Sequence, residues 1–150
     1  MKFLCDEMLG TLAKWLRILG YDTAYVKHER DETIALRARR EQRIVLTRDK
    51  ELAQRADGAL YITQKKVEQQ LEEVVKHFSL NIDEDAILSR CTICNSPVIP
   101  VARENVKNDV PEHIWKHHHI FHRCPRCGRV YWMGSHVEDM VKRIQRLTSH

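Results

Sequence analysis

The sequence predicts an α/β domain on a parallel sheet, followed by a small metal-stapled ribbon and a terminal helix. Three observations carry this reading. Through residue 78, short apolar runs alternate with stretches whose apolar residues recur at helical spacing. Two Cys-x-x-Cys pairs, Cys91-Thr92-Ile93-Cys94 and Cys124-Pro125-Arg126-Cys127, fall in the last third. The chain then closes on Ser135-His136-Val137-Glu138, a capping box that opens a helix.

Lys2 to Asp6 reads as a short apolar strand, and Leu9, Leu12, Ala13, Leu16 and Leu19 follow on one helix face before Gly20 ends it. Tyr21 to Val26 is the second strand. Asp31-Glu32-Thr33-Ile34-Ala35-Leu36-Arg37-Ala38 opens the second helix, and Ile44-Val45-Leu46 is a buried strand. Asp49 begins a short helix through Leu52 and Ala53, and Ala59 to Ile62 gives a fourth strand. Val67, Leu71, Val74, Val75 and Phe78 then form one apolar helix stripe. Repeated βα units with short connections imply parallel strands and right-handed crossovers. Leu80 to Arg90 is expected to be a linker or short helix, and Val130-Tyr131-Trp132-Met133 a strand. The expected organisation is 1–88 as the α/β domain and 89–150 as ribbon plus terminal helix. In that helix Val137, Met140, Val141, Ile144 and Leu147 share a face that must be buried, with the α/β core as the nearest cover.

Composition bounds the function. The 150 residues are 43% hydrophobic with net charge +4. The start lacks the apolar stretch of a signal peptide and no run approaches a membrane span, so a soluble cytoplasmic protein without membrane contact is expected. Charge is uneven: residues 1–88 hold 15 Lys/Arg and 16 Asp/Glu, whereas 89–150 hold 10 and 5, with seven of the nine histidines. A basic, His-rich ribbon beside a near-neutral domain suits a polyanion, although a modest excess also suits a plain solvated face.

The cysteine spacing specifies chemistry directly. Two residues between thiolates let one tight turn present both sulfurs to one ion, and two such turns make a tetrahedral Zn²⁺ site from Cys91, Cys94, Cys124 and Cys127. Asn95-Ser96-Pro97 and Gly128 suit the sharp knuckles. A redox Cys-x-x-Cys is normally single and sits at a helix start, so a structural zinc site is the better reading than redox centres or disulfides. Cys5, in an apolar run, reads as a small buried hydrophobe.

Asp6 ends the first strand, Asp31 starts the helix after the second, and Asp49 follows the third. In a parallel sheet all three reach the carboxyl edge, where ligands bind at the topological switch point. Singly, each is an ordinary cap or turn residue. Gathered together they repel, and hard oxygen donors of this kind select Mg²⁺ or Mn²⁺. Glu7 is the fourth acid of the set.

The segments Phe3-Leu4-Cys5-Asp6-Glu7-Met8-Leu9-Gly10, Leu12 to Thr23, Arg43-Ile44-Val45-Leu46-Thr47-Arg48-Asp49, and Cys124 to Trp132 with Gly134-Ser135-His136 closely resemble the Mut-seven C-terminal RNase family. The resemblance spans nearly the whole chain. It implies a compact PIN-like three-layer nuclease domain with a C-terminal zinc ribbon, and Mg²⁺- or Mn²⁺-dependent cleavage of RNA. The PIN-type acids then match Asp6, Asp31 and Asp49, and the products implied carry a 3′-hydroxyl and a 5′-phosphate.

The expected reaction is water attack on single-stranded or structured RNA, with cations lowering the water pKa and neutralising the phosphate. Lys14, Arg17 and Arg48 are placed to contact phosphate, or to serve as solvated or ion-paired surface. Arg123, Arg126, Arg129 and Lys116 are expected to hold RNA, with Tyr131 or Trp132 stacking on bases. Trp115, Tyr131 and Trp132 would otherwise fill the ribbon core. His113, His117, His118, His119 and His122 read either as a second metal site or as a polar surface helix. The rival to the enzyme is a non-catalytic RNA- or ribonucleoprotein-binding module on a degenerate PIN scaffold. It follows from the short interval 7–30, where larger PIN domains carry another helical acid, and it makes the ribbon a docking element for a protein partner.

Overall fold

The computed structural model describes residues 1–148. Four βα units run in order: β1 (Phe3–Cys5), α1 (Gly10–Ile18), β2 (Thr23–Tyr25), α2 (Asp31–Glu41), β3 (Ile44–Thr47), α3 (Lys50–Arg55), β4 (Leu60–Tyr61) and α4 (Val67–Phe78). The strands are parallel in the order β2-β1-β3-β4, with Leu4 opposite Ala24 on one side and Val45 on the other. A central strand covered on both faces must be apolar throughout, and Phe3, Leu4 and Cys5 are each 0% exposed.

Alternation along the strands sorts the core into two layers. Phe3, Cys5 and Leu46 point to the face covered by α1 and α4, where they meet Leu12, Leu16, Leu71 and Val74. Leu4 and Val45 point to the opposite face, covered by α2 and α3 through Ile34, Ala38, Leu52 and Ala56. The result is the expected three-layer α/β/α domain. Full burial of one such Leu contributes roughly 1.5–3 kcal/mol.

The helix ends follow local chemistry. After α1, Gly20 takes φ +96, Tyr21 N–H donates to Leu16 O and Gly20 N–H to Arg17 O, a Schellman closure. A Cβ on Gly20 would come within 2.7 Å of the Ala86 carbonyl oxygen, so glycine also permits the close passage of the linker. The same closure ends α2 at Gln42 and α4 at Ser79, both at positive φ. The linker itself holds one 3₁₀ turn, Glu84–Ala86.

Beyond the linker lie β5 (Ile99–Val101), α5 (Glu112–His117), β6 (Phe121–Arg123), β7 (Val130–Tyr131) and α6 (Ser135–Thr148). The three strands form an antiparallel sheet in the order β5-β6-β7. Of these only β7 and α6 are legible in the sequence, together with a polar helix where α5 lies. A small cluster of Val106, Val110 and Phe121 fills the ribbon, with Trp115 and Trp132 packed against it. Helix α6 docks on α4, and an Arg143–Glu72 ion pair spans the seam. Met140, Val141 and Ile144, with Cys91, Cys124 and Tyr131, belong to the same apolar cluster as Leu16 and Leu71. The knuckles and α6 therefore share a core layer with α1 and α4 of the α/β domain.

Candidate functional site

The chain leaves β1 toward β2 on one side and returns to β3 on the other, so the switch point lies between β1 and β3. Asp6 follows β1 and Asp49 follows β3. Asp6 N–H donates to Leu46 O at 3.3 Å, which holds the two strand ends together. Thr47, fully buried, links the two acids: its hydroxyl donates to Asp6 Oδ2 and accepts from Asp49 N–H at 2.9 Å. Asp49 Oδ1 caps α3, accepting from Glu51 N–H at 2.9 Å and Leu52 N–H at 3.5 Å.

Asp6 is 8% exposed, and its Oδ1 is buried with no hydrogen-bond partner. Burial pushes its carboxyl above the usual range, the Thr47 hydroxyl and the Met8 backbone N–H work against that, and the Asp49 and Glu7 charges add to it. A buried carboxylate oxygen without a donor is the kind of atom a cation or water completes. Glu7 is exposed on the 3₁₀ turn Glu7–Leu9, with Oε2 3.9 Å from His28 Nδ1, and its carbonyl accepts from Tyr25 Oη at 2.7 Å. Asp31 is the first residue of α2 and half-buried. Asp49 and Glu7 lie within electrostatic reach of Asp6 at this edge. Thr47 is a site residue that sequence reasoning missed, because a Thr ending a strand is ordinary there.

The four cysteines form the second site, and the Sγ atoms lie within 4.8 Å of one another. Cys91 and Cys127 sulfurs are 3.7 Å apart, close to the ~3.8 Å edge of a tetrahedron with Zn–S bonds of about 2.3 Å. Each knuckle turns through a left-handed residue, Asn95 at φ +62 and Gly128 at φ +80. The N–H groups of Ile93 and Cys94 aim at Cys91 Sγ at 3.4 and 3.3 Å, and Tyr131 Oη lies 3.1 Å from it. Burial raises the Cys91 thiol, but the Tyr131 hydroxyl and these backbone N–H groups prevail and bring it down to about 6. The set fits Zn²⁺. Among the described residues it is the one group of three or more His, Cys, Asp or Glu whose ligand atoms gather this closely.

The phosphate expectation for Arg17 is corrected, and Tyr131 takes the core-filling alternative. Arg17 does not face phosphate: it is 8% exposed and its guanidinium donates to Thr23, Thr92 and Ile93 carbonyls. Tyr131, 7% exposed with its hydroxyl against Cys91, has no free face for a base. Lys14 is exposed on α1, and Arg48 donates to Gln64 O. Arg126 and Arg129 are exposed at the second knuckle. Arg123 is tied to Asp109 at 2.7 Å and to Gly128 O at 2.9 Å, and Lys116 pairs with Glu112 at 3.0 Å. The five histidines form a polar surface rather than a metal group among the described residues.

The sequence matches the family model described as the Mut7-C RNAse domain over residues 1–144. A human protein, Exonuclease mut-7 homolog, is 34% identical over 114 residues, covering 71% of this chain and 13% of that protein. The chain thus spans a small part of that relative's length. No solved structure matches. Among the described residues no helix is long and apolar enough to cross a membrane. The parallel α/β sheet, the linker, the paired knuckles and most of the docked terminal helix fall within the matched span, and the chain belongs to the Mut7-C RNAse domain family.

Proposed function

We propose that the protein is a divalent-cation-dependent ribonuclease that cuts at the sheet edge around Asp6. Family membership and the exonuclease relative support a nuclease-like function. The observation that carries the finer reading is the buried, unpartnered Oδ1 of Asp6 beside Asp49 and Glu7. Mg²⁺ or Mn²⁺ at this edge would supply a water of lowered pKa and neutralise the phosphate. Asp6 offers Oδ1 while Thr47 fixes Oδ2, so its donor atom is aimed before any ion arrives. Asp49 is held by the α3 amides through Oδ1. Glu7 and Asp31 extend the acidic edge toward substrate. In-line attack would leave a 3′-hydroxyl and a 5′-phosphate. Lys14 and Arg48 lie on the α/β domain, and Arg126 and Arg129, with Arg123, on the ribbon; these hold the RNA backbone. The cysteines hold structural Zn²⁺, and their need for reduced thiols fits a cytoplasmic setting.

The test is RNA cleavage by the zinc-loaded chain with Mn²⁺, with Mg²⁺ and with neither, compared with Asp6→Asn and Asp49→Asn. Cation-dependent product in the parent, reduced on the order of 10²-fold or more in Asp6→Asn, is expected for a lost ligand that aims the reacting groups. Parent activity that survives both substitutions removes the assignment. One observation favours the rival binding module: among the described residues no three acids gather as tightly as the cysteines do. RNA that binds and stays intact with either cation selects that rival, with the ribbon as a docking surface.

A further inference from the structure

Arg17 is a basic side chain only 8% exposed, and the proposed reaction makes no use of it. It sits near the end of α1, a helix otherwise buried through apolar residues. Its Nε donates to Thr23 O on β2 at 2.8 Å. Its Nη1 donates to Thr92 O at 2.7 Å and Ile93 O at 3.4 Å, the two carbonyls between Cys91 and Cys94. Asp22, the carboxylate that acts on it electrostatically, is itself ion-paired with Arg43 at 2.8 Å. A guanidinium stays charged when buried, and a buried charge requires an opposite one.

The opposite charge is on the other side of the knuckle. Zn²⁺ with four thiolates carries a net charge of −2 by simple valence, and Cys91 and Cys124 are fully buried, so water screens part of that charge poorly. Burial draws the proton affinity of Arg17 down, while Cys5, Cys91, Cys94 and Asp22 act in the opposite sense. The first knuckle is fastened to the same strand a second time: Asn95 Oδ1 accepts from Thr23 N–H at 3.0 Å, and Asn95 Nδ2 donates to Asp22 Oδ1 at 2.7 Å.

We infer that Arg17 is the counter-cation of the cysteine metal centre, supplied by the α/β domain to balance the zinc tetrathiolate and to lock the first knuckle onto α1 and β2. The inference rests on reading the four cysteines as a zinc site. Partners just outside the ligand sphere set both ligand orientation and metal affinity, so the zinc would be held by the domain it staples.

The test is zinc affinity of the full chain, read by competition with a chromogenic chelator. The parent is compared with Arg17→Met, which keeps length and loses charge, and Arg17→Lys, which keeps charge and loses the fork. Arg17→Met should weaken zinc on the order of 10–100-fold, and Arg17→Lys should recover most of it. Zinc held by folded Arg17→Met within about threefold of the parent overturns the inference, since outer partners normally matter more than that. Equal losses in the two variants also overturn it, because shape rather than charge would then be responsible. If Arg17→Met does not fold with excess zinc, Arg17→Lys decides: affinity near that of the parent supports the counter-cation, and a loss above about tenfold rejects it. A parent chain that binds no zinc rejects the zinc reading and this inference together, whereas a parent that binds zinc as tightly as Arg17→Met rejects this inference alone.

Discussion

The acidic edge and the cysteine centre are built on opposite principles. At the cysteine centre the chain supplies every donor: four sulfurs within 4.8 Å, aimed by backbone N–H groups and by Tyr131, with Arg17 behind them. At the edge the chain supplies one buried oxygen of Asp6, a capped Asp49 and an exposed Glu7, and leaves the rest open. A closed sphere suits a metal that holds a fold, and an open one suits a metal that must also bind water and phosphate. On the proposed reading, preorganisation by itself does not mark the reactive site. The better-made centre is the one proposed to be structural.

The most severe way to break this contrast is to remove the zinc. Because Cys91, Cys124, Tyr131 and Ile144 share a cluster with Leu16 and Leu71, chelation should not release the ribbon alone. Calorimetry with and without a strong chelator should show one cooperative transition that falls as a unit, and Cys124→Ser should reproduce it. A ribbon transition that vanishes while the α/β transition stays in place contradicts the shared core. Next in size, Leu16→Ala and Ile144→Ala each delete a fully buried side chain on the two sides of that junction. Each should cost about 2–5 kcal/mol by denaturant unfolding.

The edge should respond in the other direction. Burial raises the Asp6 carboxyl pKa in the folded chain, so its ionised form costs stability above that raised value, and the cost vanishes below the ordinary carboxylate pKa. Asp6→Asn should therefore be more stable than the parent at pH 7, with the advantage shrinking as pH falls through the raised value toward the ordinary one. Melting temperatures of both across that range check the sign. Smallest on stability is Arg126→Ser with Arg129→Ser, two exposed positions expected to stay within about 0.5 kcal/mol. Their effect should appear instead as weaker RNA binding and a shallower dependence of log affinity on log salt.

Much of this was legible because the determinants are local. Central strands such as Phe3-Leu4-Cys5 and Ile44-Val45-Leu46 are continuous apolar runs, as burial on both faces demands, and Gly20 marks its helix end by conformation. The cysteine spacing predicts the four-sulfur cluster directly. β5 and β6 were not legible: Ile99-Pro100-Val101 carries a proline and Phe121-His122-Arg123 shows no clear alternation, since short strands beside two knuckles need little propensity of their own. Lys14 and Arg17 look alike in sequence as polar positions on α1. Only the knuckle folding back from 75 residues away turns one into surface and the other into core. Thr47 escaped for the same reason, because the acid its hydroxyl donates to, Asp6, follows a different strand 41 residues away in sequence.

The central claim is that two metals occupy the two regions for different ends, one closed and structural, one open and acting on substrate. It is tested most directly by titrating Mn²⁺ into the zinc-loaded chain and following free Mn²⁺ by electron paramagnetic resonance, with zinc content measured on the same samples. The parent should bind Mn²⁺, and Asp6→Asn should lose that binding while keeping its zinc. Mn²⁺ bound equally well by Asp6→Asn, or zinc lost together with it, would contradict the account.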